Sequence, residues 1–310
     1  MARHIVIGKG PVGATTARLL DEQGHEVVVL SRSGGDGSTA LDVTDTAALR
    51  RATEGAEVIY NCASPLYHRW PADWPPIANA LLGAAESSGA VLVTMSNLYG
   101  YGPVDAPMTE DLPLAGAGAK ARVRVGMWRD ALARHQEGRI RVAEARASDF
   151  FGPGVTGNGH LAQRMMPALL AGRAVRLMGD PDAPHSFTYV PDIARALVRL
   201  GADERAWGRA WHVPTAPPLS TREAVGHLRR LAGLPPAGVG RIPWWPLHLV
   251  GLVNPLLGEL REVRYQFDRP FVIDSQVYTA TFGEVATPID EALGATVEWW
   301  RARLGRSPRA

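Results

Sequence analysis

Three glycines in a run of six residues, Gly8-Lys-Gly10-Pro-Val-Gly13, constrain this chain more than any other feature. They follow His4-Ile-Val-Ile7, a short β-branched run that reads as a buried strand. They open onto Ala14-Thr-Thr-Ala-Arg-Leu-Leu20, which reads as a helix. A second strand, Glu26-Val-Val-Val-Leu30, follows at βαβ spacing. In that setting each glycine has its own task. Gly8 makes the tight turn, Gly10 lets the backbone approach a pyrophosphate, and Gly13 lets the helix pack against the strand. Pro11 and Val12 complete the loop against the pyrophosphate, and the N-terminus of the helix that follows faces the phosphate charge. The competing reading is a glycine turn that binds nothing, and the strand–turn–helix–strand context speaks against it.

Strand and helix patterns then alternate. Ala56-Glu-Val-Ile-Tyr-Asn61 reads as a strand, Ile77 to Ser88 as a helix, and Ala90-Val-Leu-Val-Thr-Met95 as a strand. A long helix is expected from about Lys120 to His135, and Arg139 to Ala145 reads as the next strand. The fold class is therefore α/β, a Rossmann-type doubly wound parallel sheet. Such sheets bind ligands beyond the carboxyl ends of their strands, so the segments after Asn61, Met95 and Ala145 are expected to line a site.

The second half is mixed. Gly152-Pro-Gly154 and Gly157-Asn-Gly159 mark a loop-rich departure from the sheet. A helix is expected over 160–172, a strand over 186–190, a helix over 191–201 and a short strand over 211–213. Ser220-Thr-Arg-Glu223 has the form of a capping box. Residues 232–241 read as a proline/glycine linker, and 287–304 as a turn and a final helix. The expected organisation is a nucleotide-binding domain over 1–150, rejoined by about 186–213, and a smaller, discontinuous α/β substrate lobe over 151–310.

The 310 residues carry 33 basic and 31 acidic side chains and a net charge of +2, which gives no electrostatic case for nucleic acid or membrane partners. The single cysteine, Cys62, excludes an internal disulfide and fits a reducing cytoplasm. A strand starting at the fourth residue leaves no room for a signal peptide. The most apolar stretch, Pro243 to Val253, is too short to span a bilayer. It reads as an active-site wall or a dimer contact, ahead of contact with a membrane surface, and Trp244 and Trp245 read as an apolar substrate cap, with core packing or a partner contact as the alternative. His68, His160, His185, His212 and His248 show no metal-ligand spacing, so no metal is expected. His68 with Tyr67, Arg69 and Trp70 makes a polar–aromatic loop that reads equally as a ligand cover and as plain surface.

In order along the chain, these pieces resemble the extended short-chain dehydrogenase/reductase superfamily, in its NAD-dependent epimerase/dehydratase group. The resemblance rests on the glycine loop, Leu41-Asp-Val43, Asn61-Cys-Ala-Ser64, Tyr101-Gly-Pro103 and Thr109-Glu-Asp111. It continues through Phe150-Phe-Gly-Pro153, Phe187-Thr-Tyr-Val-Pro-Asp192 and Leu219-Ser-Thr-Arg-Glu223. It implies an enzyme with a nicotinamide dinucleotide, a small-molecule substrate and pairing into a homodimer through the helices around 77–88 and 120–135. Asp42 resembles the residue that holds the adenine amino group, with Val43 beside the ring. Ala63 and Ser64 resemble the segment lying along the cofactor, and Asn79 a helix asparagine that braces the sheet. At the end of the second strand Ser31 stands where a ribose-binding carboxylate would be, and Arg32 follows. Ser31 leaves nothing to repel a 2′-phosphate and Arg32 can pair with one, so NADP is expected ahead of NAD. Arg32 as an ordinary solvated arginine is the alternative.

The family's Tyr-x-x-x-Lys pair is missing. Lys120 has Gly116 four residues before it, and a reading one turn later pairs Lys120 with Arg124. The Ser/Thr position matches Asn97, with Ser96 beside it. In the dehydratase branch the next two residues are acid–base groups, and they match Leu98 and Tyr99. The resemblance thus implies Tyr99 as proton donor, Asn97 or Ser96 as the group polarising the substrate oxygen, and Lys120 as a catalytic and cofactor-orienting residue. Tyr99 as a packing aromatic and Lys120 as a solvated helix lysine are the plain alternatives. His185 stands where nucleotide-sugar enzymes carry an arginine, and Asp149 replaces a common asparagine. Both argue for a small alcohol or carbonyl substrate over a nucleotide sugar. A silent NADP-binding regulator and a redox-neutral isomerase or nucleotide-sugar epimerase remain as rival readings.

Overall fold

A computed structural model describes residues 1–157, 159–245 and 259–306. Two compact units are present. The first comprises Met1–Gly102, Glu110–Ala147 and Pro191–Val213; the second comprises Pro103–Thr109, Ser148–Val190 and Pro214–Ala310.

The first unit holds, in chain order, β1 (Arg3–Ile7), α1 (Pro11–Glu22), β2 (Glu26–Ser31), β3 (Thr39–Ala40), α2 (Thr46–Ala52), β4 (Val58–Asn61), α3 (Trp70–Ser88), β5 (Val91–Ser96), α4 (Ala119–Gln136) and β6 (Arg141–Arg146). β11 (Arg209–His212) closes the sheet after the helix Val190–Ala202. The seven strands lie in the order β11-β6-β5-β4-β1-β2-β3, every pairing parallel. Chain order reverses between β1 and β4, the point where sheets of this class open a crevice. β4 is buried at every position and β1 nearly so, as strands covered on both faces must be. One core layer joins Ile5, Ile7, Ile59 and Leu92 of the sheet to Leu81 and Ala84 of α3 and Trp128 of α4.

α3 starts at Trp70 rather than at the expected Ile77, carrying Pro75 and Pro76 inside it. Proline marks a helix boundary in sequence because it lacks the N–H donor. Here both rings lie exposed near the start of a helix whose apolar face is held by buried Trp70 and Trp74. The helix ends at Gly89, whose φ of 72° and N–H bond to the Ala85 carbonyl make a left-handed cap.

The second unit is built from pairs of short strands. β7 (Asp149–Phe151) runs parallel to β10 (Phe187–Tyr189), and β8 (Val175–Met178) parallel to β13 (Val239–Ile242). β9 (Pro184–His185) is antiparallel to β12 (Leu219–Ser220). The expected linker over 232–241 therefore ends in a strand. Of the helix expected over 160–172, only α5 (Met166–Leu170) forms. Pro167 lies in the first turn of α5, where its missing N–H costs nothing, whereas in the middle of a helix over 160–172 it would remove a backbone hydrogen bond and clash with the preceding turn. α7 (Thr221–Leu231) carries the expected capping box: the Glu223 N–H donates to Ser220 Oγ at 3.2 Å, and the Ser220 N–H to Glu223 Oε2 at 2.7 Å. Residues 103–109 join this unit through the Met108 N–H to the Val272 carbonyl and the Asp274 N–H to the Met108 carbonyl, both 2.8 Å. Trp244 is buried and donates from its indole N–H to Asp268 Oδ1 at 2.9 Å, while Trp245 is exposed. The rest of the Pro243–Val253 stretch, His248 included, lies outside the described residues. Among the described residues, no helix is long and apolar enough to cross a membrane.

Candidate functional site

The glycine loop has the form that its residues require. Gly8 sits at φ 105°, and a Cβ there would stand 2.5 Å from the Cys62 carbonyl oxygen. A Cβ on Gly13 would stand 1.9 Å from the Gly8 carbonyl oxygen. Both positions exclude a side chain. At Gly10 the same Cβ would meet no atom within 4 Å, so the backbone there faces open space. α1 begins at Pro11 with Gly10 as an N-cap that offers no side-chain oxygen, and its first turn carries no acid. Its leading N–H groups and the positive end of its dipole are left for an anion, and the loop fits a dinucleotide pyrophosphate. Val12 turns its side chain into the core, so its part in such a loop belongs to the backbone.

Beyond β2, Ser31 is buried. Its hydroxyl accepts from the Gly34 N–H at 3.1 Å and lies 2.8 Å from the Ser38 hydroxyl. Ser31 shapes the following loop instead of reaching outward. Arg32 is exposed beside it. A basic residue overlooked in the sequence also reaches this loop: Lys9 Nζ donates to the Gly34 carbonyl at 2.6 Å and pairs with Asp36 at 3.3 Å. Asp42 is exposed. The Thr44 N–H (2.9 Å) and hydroxyl (2.7 Å) both donate to one of its oxygens, which holds its carboxyl below the usual range. Val43 packs against the core. After β4, the Ala63 N–H donates to Asn61 Oδ1 at 3.3 Å and Ser64 is exposed. Burial pushes the Cys62 thiol up to about 12, against a hydrogen bond with Thr16, which disfavours the nucleophilic thiolate.

At the carboxyl end of β5, Ser96 is buried and Asn97 Oδ1 accepts from the Tyr99 N–H at 3.2 Å, starting the 3₁₀ turn Tyr99–Tyr101. Tyr67, from the 3₁₀ turn Tyr67–Arg69 after β4, donates its hydroxyl to the Tyr99 hydroxyl at 3.1 Å. Lys120, in the first turn of α4 and 1% exposed, holds its ammonium 4.5 Å from the centre of the Tyr67 ring. The fold thus gathers Tyr67, Tyr99 and Lys120 from three separate elements. Sequence reasoning placed Tyr67 only in a polar–aromatic loop, because nothing local to residues 67–70 indicates a neighbour on α4.

One turn along α4, Arg124 is buried, its guanidinium 4.6 Å from the Trp70 ring and 4.4 Å from the Trp74 ring. Its Nε and Nη1 have no hydrogen-bond partner, and burial pushes it down to about 10, against the pull of Glu144. Lys120 and Arg124 therefore share the buried face of α4 at the spacing where a Tyr/Lys pair was missed. Tyr101 is structural: Arg146 Nη1 donates to its hydroxyl at 2.7 Å, and His212 Nε2 lies 2.7 Å from the same oxygen. Asn79 is exposed on α3 and does not brace the sheet.

In the second unit, His185 Nε2 is bonded to Asp149 Oδ2 at 2.9 Å, and His160 Nε2 stands 3.3 Å from the same oxygen. Burial opposes ionisation of Asp149, but His160 and His185 outweigh it and hold the carboxyl down to about 2. Burial likewise pushes His160 down to about 4, against the attraction of Asp149. The three side chains form a cluster that residue spacing did not indicate.

Residues 5–213 match the model of the NAD dependent epimerase/dehydratase family. No curated protein matches the sequence. Among solved structures, MoeE5 in complex with UDP-glucose and NAD is 21% identical with a TM-score of 0.79, over 98% of this chain and 100% of that one. UDP-glucose 4-epimerase from Thermotoga maritima, with UDP-glucose, is 17% identical with a TM-score of 0.80, over 97% and 99%. dTDP-glucose 4,6-dehydratase from Bacillus anthracis, with NAD, is 16% identical with a TM-score of 0.80, over 97% of each.

Proposed function

The chain belongs to the NAD dependent epimerase/dehydratase family, and from that premise we propose that it is an NADP-dependent oxidoreductase acting on a small alcohol or carbonyl compound. The observation that carries this reading is the Tyr67–Tyr99–Lys120 cluster, set at the carboxyl ends of β4 and β5 in the unit that carries the glycine loop. Gly8, Gly10, Pro11, Val12 and Gly13 would hold the pyrophosphate, and the dinucleotide, when bound, supplies hydride exchange. The protein's own part is proton transfer. Tyr67 donates to the Tyr99 oxygen, and Tyr99 is the group that exchanges a proton with the substrate oxygen in this reading. The Lys120 cation over the Tyr67 ring favours negative charge on the paired phenols, as a lysine beside a tyrosine does in the family's usual pair. Asn97 spends its carbonyl on the Tyr99 N–H, and its NH₂ remains as a donor that polarises the substrate oxygen.

NADP is favoured over NAD because no carboxylate ends β2, while the exposed Arg32 brings positive charge to the loop that follows. A small substrate is favoured over a nucleotide sugar because His185, in the place of a diphosphate-binding arginine, is engaged by Asp149. The UDP-glucose bound by MoeE5 and by the Thermotoga maritima epimerase supports one second reading, a redox-neutral epimerase. Absorbance of NADPH with a panel of small aldehydes and ketones separates the two. Oxidation of NADPH is expected with the wild-type chain, falling about 100-fold or more in Tyr99→Phe with NADPH affinity unchanged. Equal turnover by the phenylalanine variant sinks the role given to Tyr99, and the absence of any net oxidation favours the epimerase.

A further inference from the structure

We propose that Asp149, His160 and His185 form a binding site for one divalent transition-metal ion of the zinc class. One ligand atom from each side chain lies within 4.8 Å of the others. The residues come from three places in the second unit: the start of β7, the loop before α5, and β9. Two imidazole nitrogens and one carboxylate oxygen are a donor set that suits zinc and its neighbours, and that leaves a position open for a further ligand.

The distances favour a shared ion. Bonds of about 2.0–2.1 Å to a tetrahedral centre put neighbouring ligand atoms roughly 3.3 Å apart. The two nitrogen–carboxylate separations are already 2.9 and 3.3 Å. The third edge, between the two imidazole nitrogens, is no longer than 4.8 Å and would shorten on rotation of the His160 ring toward His185. Both histidines sit in an aromatic shell. His160 stacks on Phe267 at 4.8 Å, and the His185 ring lies 4.7 Å from Phe187 and 5.4 Å from Phe271. Such a shell limits contact with bulk water and strengthens the attraction of the ion for its ligands. His160 and His185 also line a small pocket together with Thr221 and Gln266. A water or small oxygen ligand completing the coordination from that side would have Thr221 and Gln266 as polar neighbours.

The test uses the full chain, treated with a chelator and dialysed at neutral pH, then titrated with Zn²⁺ by calorimetry and with Co²⁺ by visible absorption. About one equivalent of each metal is expected to bind, with Co²⁺ developing the intense d–d bands of a four- or five-coordinate site. His185→Ala and the less buried His160→Gln are each expected to weaken Zn²⁺ binding roughly 100-fold or more, with far-ultraviolet circular dichroism confirming that they fold. Failure of the wild-type chain to bind one equivalent overturns the proposal without recourse to any variant. Undiminished affinity in a folded His160→Gln protein overturns it as well. NADPH binding and oxidation are read separately, so loss of the metal site and loss of the proposed reaction are distinguishable.

Discussion

At Arg32 the proposed preference for NADP rests on a single exposed side chain. A guanidinium forms charge-assisted bonds with a phosphate, and deletion of such a contact costs about 1.5–3 kcal/mol. Arg32→Ala is therefore expected to weaken NADPH binding roughly tenfold to a hundredfold and to leave NADH nearly unchanged. Fluorescence titration of both reduced cofactors checks this, and an equal loss for the two would refute the assignment. Lys9 reaches the same loop, its ammonium donating to the Gly34 carbonyl. Its place in the glycine loop was plain in the sequence, yet its direction was not: a lysine between two glycines can point anywhere until the loop over 32–38 folds beside it. Ser31 shows the converse. Its position at the strand end was legible, but its hydroxyl is spent on Gly34 and Ser38.

Elements whose signals are local were legible. The capping box at Ser220 is one, because donor and acceptor lie three residues apart and need no tertiary partner. Ser220→Ala is expected to destabilise α7 by about 1 kcal/mol, seen as a lower urea midpoint with an unchanged slope. A midpoint that does not move would mean that α7 is held by packing alone. α3 and α5 mark the limit of local reading. Prolines announced a helix start at Ile77, whereas burial of Trp70 and Trp74 extends α3 back to Trp70. The helix expected over 160–172 shrinks to α5, which starts where Pro167 can sit in the first turn. α4 was found, but its buried cationic face was not. A helix carrying Lys120 and Arg124 reads as solvated until aromatic rings from the preceding loop and helix cover both.

For the whole molecule, pH dependence follows from groups buried in its sheet. His4 of β1 is 5% exposed, and neither ring nitrogen has a partner. Burial, then the nearby His25, lower its pKa from 6.5, with Glu57 acting the other way. A folded-state pKa below the unfolded one means that the unfolded chain takes up the proton first. The contribution of His4 is thus complete above about pH 6.5 and is lost as pH falls below it. Urea midpoints are expected to fall between pH 7 and pH 5.5, and to fall less in His4→Phe. Identical slopes in the two proteins would assign the acid sensitivity elsewhere.

The division into two units has the same character. The first is one parallel sheet whose βα alternation runs along the chain. The second takes in residues 103–109 from before α4, joined by the hydrogen bonds of Met108 to Val272 and Asp274. No periodicity announces such a pairing across so long a stretch of chain. Turns, caps and alternating strands and helices depend on residues a few positions apart, so the amino-acid order alone determined the phosphate loop, the parallel sheet and the family. The Tyr67–Tyr99–Lys120 and Asp149–His160–His185 clusters were decided only when strands set in register carried distant loops to a common end. Contact between side chains far apart in the chain is a property of the packed backbone, and neither neighbourhood exists before it.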